Sequence, residues 1–458
     1  MGRAERIRAE PEPKHDVPFR EAARFWVKLG FINFGGPTGQ IAIMHDHIVG
    51  RRRWISDHRF LHALNYCMLL PGPEAQQLAI YIGWLLHKVR GGLVAGIAFI
   101  LPAFFLMLGL SYVYAVHGDV SVVAGIFSGL QAAVVGIVAA AIIRIGRTAV
   151  RNWALAIVAG TAFVAIFVLQ LPFPLIVAGA AGAGFLGGRL SPRLFVPMGE
   201  TAPGGALAIG DEGPGPAHTQ VDAGRAVRVV LVGVAVWILP LVAVALAPGS
   251  PDILGEEAFF FSKAAVVTFG GAYAALAYVN QAAVQQYGWL LPGQMVTGLG
   301  LAESTPGPLI LVVEFVGFLG AYRNPGGLDP VVAGVLGATV TTWATFAPCF
   351  LWIFLGAPYI ERLRGNRSLA AALSGVTAAV VGVILNLAVV FAVHTLFDRV
   401  ESVGVLGGAI PWPVPSSVDP FAVTIAAASF VALWRLRLGI LWVVGASAAA
   451  GLVRVLLG

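Results

Sequence analysis

Charge is scarce in this sequence. Only 11% of its 458 residues are Asp, Glu, Lys or Arg, and 58% are hydrophobic, against about 25% charged in an ordinary soluble domain. A water-soluble fold is thereby excluded. Apolar runs at 92–116, 122–143, 226–247 and 369–393 are each long enough to cross a hydrocarbon layer about 30 Å thick. Cysteine is nearly missing too. Cys67 and Cys349 lie in apolar surroundings, which argues against a disulfide framework and leaves no Cys-based metal site. There is no pattern of short alternating strands for a β-barrel and no nucleotide-binding motif, so direct ATP use is not expected. Residues 1–16 are charged and lack the short apolar core of a signal peptide, and read as a cytoplasmic tail. The net charge of +6 is a positive-inside bias rather than a nucleic-acid footprint. The class is an all-α polytopic membrane protein, with the lipid bilayer as its first partner.

Glycine and proline, by contrast, are placed where a membrane helix should be simplest. "LGFINFGGPTGQIAI" starts at Leu29, and "AAVVTFGGAYAALA" carries the same Phe-Gly-Gly triplet further on. The offset is constant. Lys28 pairs with Lys263 (263 − 28 = 235), Phe34-Gly35-Gly36 with Phe269-Gly270-Gly271, Trp54 with Trp289, and Pro71-Gly72-Pro73 with Pro306-Gly307-Pro308. After "NPGGLDP" the offset becomes 246 (348 − 102), where Pro102 meets Pro348 and "SGLQAAVVGI" meets "SGVTAAVVGV". The chain therefore reads as two homologous halves, 17–190 and 258–457. Between them lie a Gly/Pro/Ala-rich linker, 191–225, and an unpaired apolar run, 226–247.

Basic residues orient the halves. The first half has basic loops at Arg51-Arg52-Arg53, Lys88 and Arg90, Arg144, Arg147 and Arg151, and Arg189 and Arg193. In the second half the uncharged "VQQYG" replaces the triple-Arg loop, and "ERLRGNR", with three arginines, replaces the Gly118-Asp119 turn, which has no Lys or Arg. Inverted-topology halves, separated by the odd crossing 226–247, account for the swap. The linker and N-terminus are then cytoplasmic. All basic loops of the first half share one side only if 18–50 and 60–86 dip in and return. Their tips would be Gly35-Gly36-Pro37 and Pro71-Gly72-Pro73, where a helix must break. Tilted and kinked full crossings are the alternative.

A helix that restarts inside the membrane aims its free N–H groups and positive dipole end at whatever sits there. Four such ends converging near the midplane would form an anion site of backbone donors. The candidates are Asn33, Phe34, Gly35, Gly36, Pro37 and Gln40; Pro71, Gly72, Pro73 and Gln77; Thr268, Phe269, Gly270 and Gly271; and Ser304, Thr305, Pro306, Gly307 and Pro308. Close packing and kinking are the plainer reading of any one motif alone. Lys28 and Lys263 would counter a doubly charged anion, or else snorkel to a nearby surface. Glu74, Glu303 and Glu314 are the proton-coupling candidates. For Glu74 the plainer alternative is a first-turn acid that stabilises its helix. The cluster His45, Asp46, His47, His58 and His62 raises a zinc-dependent membrane hydrolase. No His-Glu-x-x-His motif supports it, so the cluster reads as interfacial and no metal or cofactor is expected. The small-residue run "AGAAGAGFLGG" permits close helix packing and leaves a homodimer open.

Phe-Gly-Gly-Pro followed by Gln40, then "LLPGPEAQQLAIYIGW", with both signatures repeated in a second half, resembles the long-chain chromate ion transporter family over about 20–455. The resemblance implies an inner-membrane protein of two opposed halves that exports chromate, driven by proton-motive force. The family's first motif falls on Phe34, Gly35, Gly36, Pro37 and Gln40, and the second on Pro71, Gly72, Pro73, Glu74 and Gln77. Ala272 stands where Pro37 would repeat and Leu309 where Glu74 would, so the halves cannot contribute identically. The expected function is proton-coupled chromate antiport by alternating access, with a sulfate transporter as the nearest rival.

Overall fold

The computed structural model describes residues 17–34, 36–68, 70–195, 223–269, 272–291, 293–359, 367–405 and 408–457. The tail 1–16, nearly all of the linker and most of "ERLRGNR" lie outside them. The first half begins with α1 (Phe19–Ile32) and α2 (Gly36–His45), which runs on into a π-helical turn, Asp46–Arg51. It continues with α3 (Asp57–Cys67), α4 (Glu74–His117), α5 (Ser121–Ala149), α6 (Trp153–Phe167), α7 (Phe173–Leu190) and the short α8 (Pro192–Phe195). Helix α9 (Ala223–Ala245) joins the halves. The second half repeats the order: α10 (Asp252–Val267), α11 (Ala272–Asn280) with a π-helical turn Gln281–Gln286, then α12 (Gln294–Ser304). It ends with α13 (Val312–Arg323), α14 (Pro330–Gly356), α15 (Arg367–Leu396), α16 (Pro420–Trp434) and α17 (Ile440–Leu457). The two π-helical turns lie 235 residues apart (281 − 46). Between α15 and α16 a hairpin pairs β1 (Val400–Val405) antiparallel with β2 (Gly408–Pro413).

Local chemistry sets these boundaries. Asn152, Asp329 and Asp419 cap α6, α14 and α16 by accepting first-turn N–H bonds. Proline opens α14 and α16, where its missing N–H costs nothing. Helix α1 buries Ala22, Phe25, Trp26 and Leu29, an i, i+3, i+4, i+7 stripe. Helix α4 is not one rod. His87 and Lys88 leave helical geometry, Lys88 with φ 56°, and the chain folds back so that Gly83 meets Gly91. Helices α13 and α14 form the matching antiparallel pair in the second half.

Seven helices among the described residues are long and apolar enough to cross a membrane, so the protein is a multi-pass membrane protein. Helices α1, α3, α10, α12 and α13 have 11 to 16 residues, short of the roughly 20 a crossing needs. They form the broken hairpins. The long helices then exchange partners: α5 packs on α16 and α17, and α15 packs on α6 and α7. Small residues allow the approach. Gly129 lies against the Ser447 carbonyl, and Gly375, its counterpart, against the Ala180 carbonyl. Part of the "AGAAGAGFLGG" run thus packs within the molecule. Exchanging the halves leaves this pattern of contacts unchanged.

Candidate anion site

The four helix breaks meet. The N–H of Gly72 donates to the carbonyl of Thr268 at 3.2 Å, and the N–H of Gly307 donates to the carbonyl of Asn33 at 2.9 Å. Both pairs sit at the same place in the repeat, because Gly72 corresponds to Gly307 and Asn33 to Thr268. The glycines are required. Gly72 has φ +108° and Gly307 φ +136°, where a side chain is strained. A Cβ on Gly72 would press on Cys349 Sγ and Gln77 Nε2, each at 3.2 Å, and one on Gly307 would strike Ala103 Cβ.

Gln40 ties the crossing together on one side only. Its Nε2 donates to the Gly307 carbonyl and, at 3.4 Å, to that of Asn33. Its counterpart is Ala275, which instead lines an apolar cavity with Gly72, Pro73, Thr268 and Thr345. Gln77 Nε2 donates to the Pro71 carbonyl at 2.7 Å. Asn33, Gln40, Gln76 and Gln77 are buried, and both amide atoms of Asn33 and Gln76 lack a partner among the described residues. Buried polar atoms of this kind are costly unless something satisfies them.

The remaining candidates take different places. Phe269 packs on the larger core, Phe34 is half-buried, and Pro73, Pro306 and Pro308 are buried at the breaks. Gly35, Gly270 and Gly271 lie outside the described residues. Ser304 and Thr305 do not offer free hydroxyl donors: they donate back to Leu301 and Ala302 at 2.7 and 3.1 Å, and Thr268 to Ala264 at 2.6 Å. Lys28 and Lys263 are both exposed and line neither cavity. Lys28 lies on α1 beside the buried Phe25–Leu29 stripe, not within it. Glu74 heads α4, with Pro73 as N-cap. Glu314 is fully buried, and both its oxygens lack a partner among the described residues. His45 pairs with Asp57 at 2.6 Å and His47 with the Ile43 carbonyl at 3.1 Å. The side chains of His58 and His62 are not among those described.

A second, polar cavity opens beside the first break. The start of α2 at Gly36 and Pro37 lines it, together with Arg144 from α5, Tyr273 from α11 and Glu303 from α12, within an apolar wall that includes Leu433 and Ile440. Tyr273 donates its hydroxyl to Glu303 Oε1 at 2.8 Å. Glu303 is buried, whereas Arg144 is exposed at the cavity. This brings one guanidinium, one helix N-terminus and one carboxyl to a single place. A helix N-terminus and a planar guanidinium are the two groups best suited to a tetrahedral oxyanion. Sequence reasoning found Gly36, Pro37 and Glu303, but read Arg144 only as part of a basic loop and passed over Tyr273.

Comparison with known proteins agrees with this architecture. The chromate transporter family model matches residues 20–185 and 256–452, so both halves are covered. The chain is 30% identical over 437 residues to the chromate transport protein of Pseudomonas aeruginosa, covering 94% of this chain and 90% of that protein. It is 29% identical over 387 residues to the chromate transport protein of Cupriavidus metallidurans, covering 84% and 86%. It is 27% identical over 419 residues to the probable chromate transport protein of Synechococcus elongatus, covering 91% and 95%. These relatives are transport proteins rather than enzymes. No solved structure matches the chain significantly.

Proposed function

The chain belongs to the chromate transporter family, and from that premise we propose that it is a secondary transporter exporting chromate across the cell's inner membrane. Two halves of opposite orientation alternate access around the crossing of their broken helices. The observation that carries this reading is the polar cavity of Gly36, Pro37, Arg144, Tyr273 and Glu303 beside that crossing. Arg144 and the N-terminal end of α2 hold the dianion, and Tyr273 orients Glu303.

Glu303 and the anion share one cation. A carboxylate beside a bound dianion is repelled, so each favours the other only when Glu303 carries a proton. The linkage has a proton travel with the anion rather than against it, opposite in sign to a simple antiport. Export does not need antiport. An inside-negative potential drives each exported negative charge by about 2.3 kcal/mol per 100 mV, and one accompanying proton offsets one of the two charges.

The test is uptake into inverted membrane vesicles with an imposed inside-positive potential and no pH gradient. The reading expects chromate accumulation that collapses with the potential. Accumulation of sulfate, with no chromate uptake, would keep the architecture and remove chromate as the substrate.

A further inference from the structure

Glu257 lies outside that cavity and has no role in the mechanism above. It sits on α10, where its side chain is fully buried, and both carboxyl oxygens lack a partner among the described residues. Two glycines make room for it. A Cβ on Gly320 of α13 would lie 2.7 Å from Oε1, and one on Gly337 of α14 would lie 2.9 Å from Oε2. The carboxyl is thus wedged at the seam of three helices. The first half has nothing similar, because the counterpart of Glu257 is Ala22.

Among the described residues no cation is at hand to neutralise it. Helix α14 contains no charged residue. Helix α13 has Glu314, Tyr322 and Arg323. Arg323 is exposed and donates to the Trp289 carbonyl and to Gln294 Oε1. Helix α9 has Arg225 and Arg228 near its start, while its Ala245 end meets α10 at Gly255. That end is about 25 Å away along the helix from Arg228. Helix α11 offers only Tyr273 and Tyr278. On α10 itself Asp252, Glu256 and Lys263 are exposed.

An ionised carboxyl in this seam would be an unpaired buried charge, which protein interiors do not hold. Of the two forms, the packing accepts the neutral acid. We propose that Glu257 is a proton-binding site, loaded while α10 packs on α13 and α14 and emptied when they part. This rests on the transporter reading: Glu303 senses the anion, whereas Glu257 senses the conformation, so its proton can cross on a different leg of the cycle.

Two measurements on the full-length protein in liposomes test it. The infrared difference between the parent and Glu257→Gln at neutral pH should show the deuterium-sensitive C=O stretch of a protonated carboxylic acid, lost in the variant. The pH profile of chromate uptake should lose one limb in Glu257→Gln. Glu257→Ala, which copies Ala22 of the other half, should do the same if the glutamine variant fails to fold. No difference band would overturn the site, whether or not the protein carries chromate. A band with an unchanged pH profile would overturn the coupling.

Discussion

The backbone N–H of Gly307 donates to the carbonyl of Asn33 at 2.9 Å, and Gly72 to Thr268 at 3.2 Å is the same bond made by the opposite halves. Each half thus supplies a glycine amide from its second break and a carbonyl from its first. The broken ends are bonded across to the other half as well as within their own.

Alanine at either glycine should loosen this crossing. Gly307→Ala should be the worse, because its methyl would strike Ala103, whereas Gly72→Ala meets Cys349 and Gln77 at 3.2 Å. Backbone strain at φ above zero costs about 1–3 kcal/mol on its own. Thermal unfolding in detergent should show both variants destabilised in that order. Equal stability to the parent would contradict the roles given to these glycines.

Gln40 is the asymmetric tie. Replacing it with Leu leaves the Asn33 and Gly307 carbonyls without its amide, at about 1–3 kcal/mol for buried groups left short of a partner. Gln40→Leu should lower thermal stability, while Ala275→Leu, at the matched position, should instead fill the apolar cavity. Binding to the polar cavity should survive the second change.

On the proposed reading, Glu303 sets the pH dependence of the anion step. The sign follows from linkage: the anion is held with the proton, so affinity falls as pH rises through the titration of Glu303. Glu303→Gln, fixed in the neutral form, should bind chromate at high pH as the parent does at low pH. Tyr273→Phe removes the hydrogen bond at 2.8 Å and should shift the profile without abolishing uptake. An unchanged profile in Glu303→Gln would contradict the assignment.

Asp419 gives a pH effect on stability instead. Partial burial pushes its carboxyl up, but Arg454 at 2.7 Å and the Phe421 N–H at 2.9 Å outweigh that and hold it below the usual carboxylate range. Its contribution is present at neutral pH and is lost as pH falls through the folded-state titration. The Asp419→Asn variant should therefore lose stability relative to the parent at neutral pH, with the gap closing in acid.

Much of this was legible in the sequence because Gly-Gly and Pro-Gly-Pro leave a helix little choice about where to break, and because the repeat keeps the offset from Lys28 through Pro308. Four things were not. Arginine at the end of a long apolar helix looks the same whether it faces a headgroup or a cavity, so Arg144 was hidden among loop arginines. Glu257 stands next to exposed Glu256, and sequence alone does not separate a buried carboxyl from its solvated neighbour; only the approach of Gly320 and Gly337 does. Lys28 and Lys263 share a position in the repeat, but shared position does not fix which face a side chain takes. Nor does hydropathy reveal that α5 packs on α16 and α17 of the other half.

The most direct test compares chromate uptake into inverted vesicles by Arg144→Ala and by Lys28→Ala with Lys263→Ala. Losing a charge-assisted contact of about 1.5–3 kcal/mol should weaken chromate binding roughly 10- to 150-fold, so Arg144→Ala should require far more chromate at unchanged protein level. The double lysine variant should transport normally. Normal affinity in Arg144→Ala, with transport lost in the lysine variant, would contradict the site.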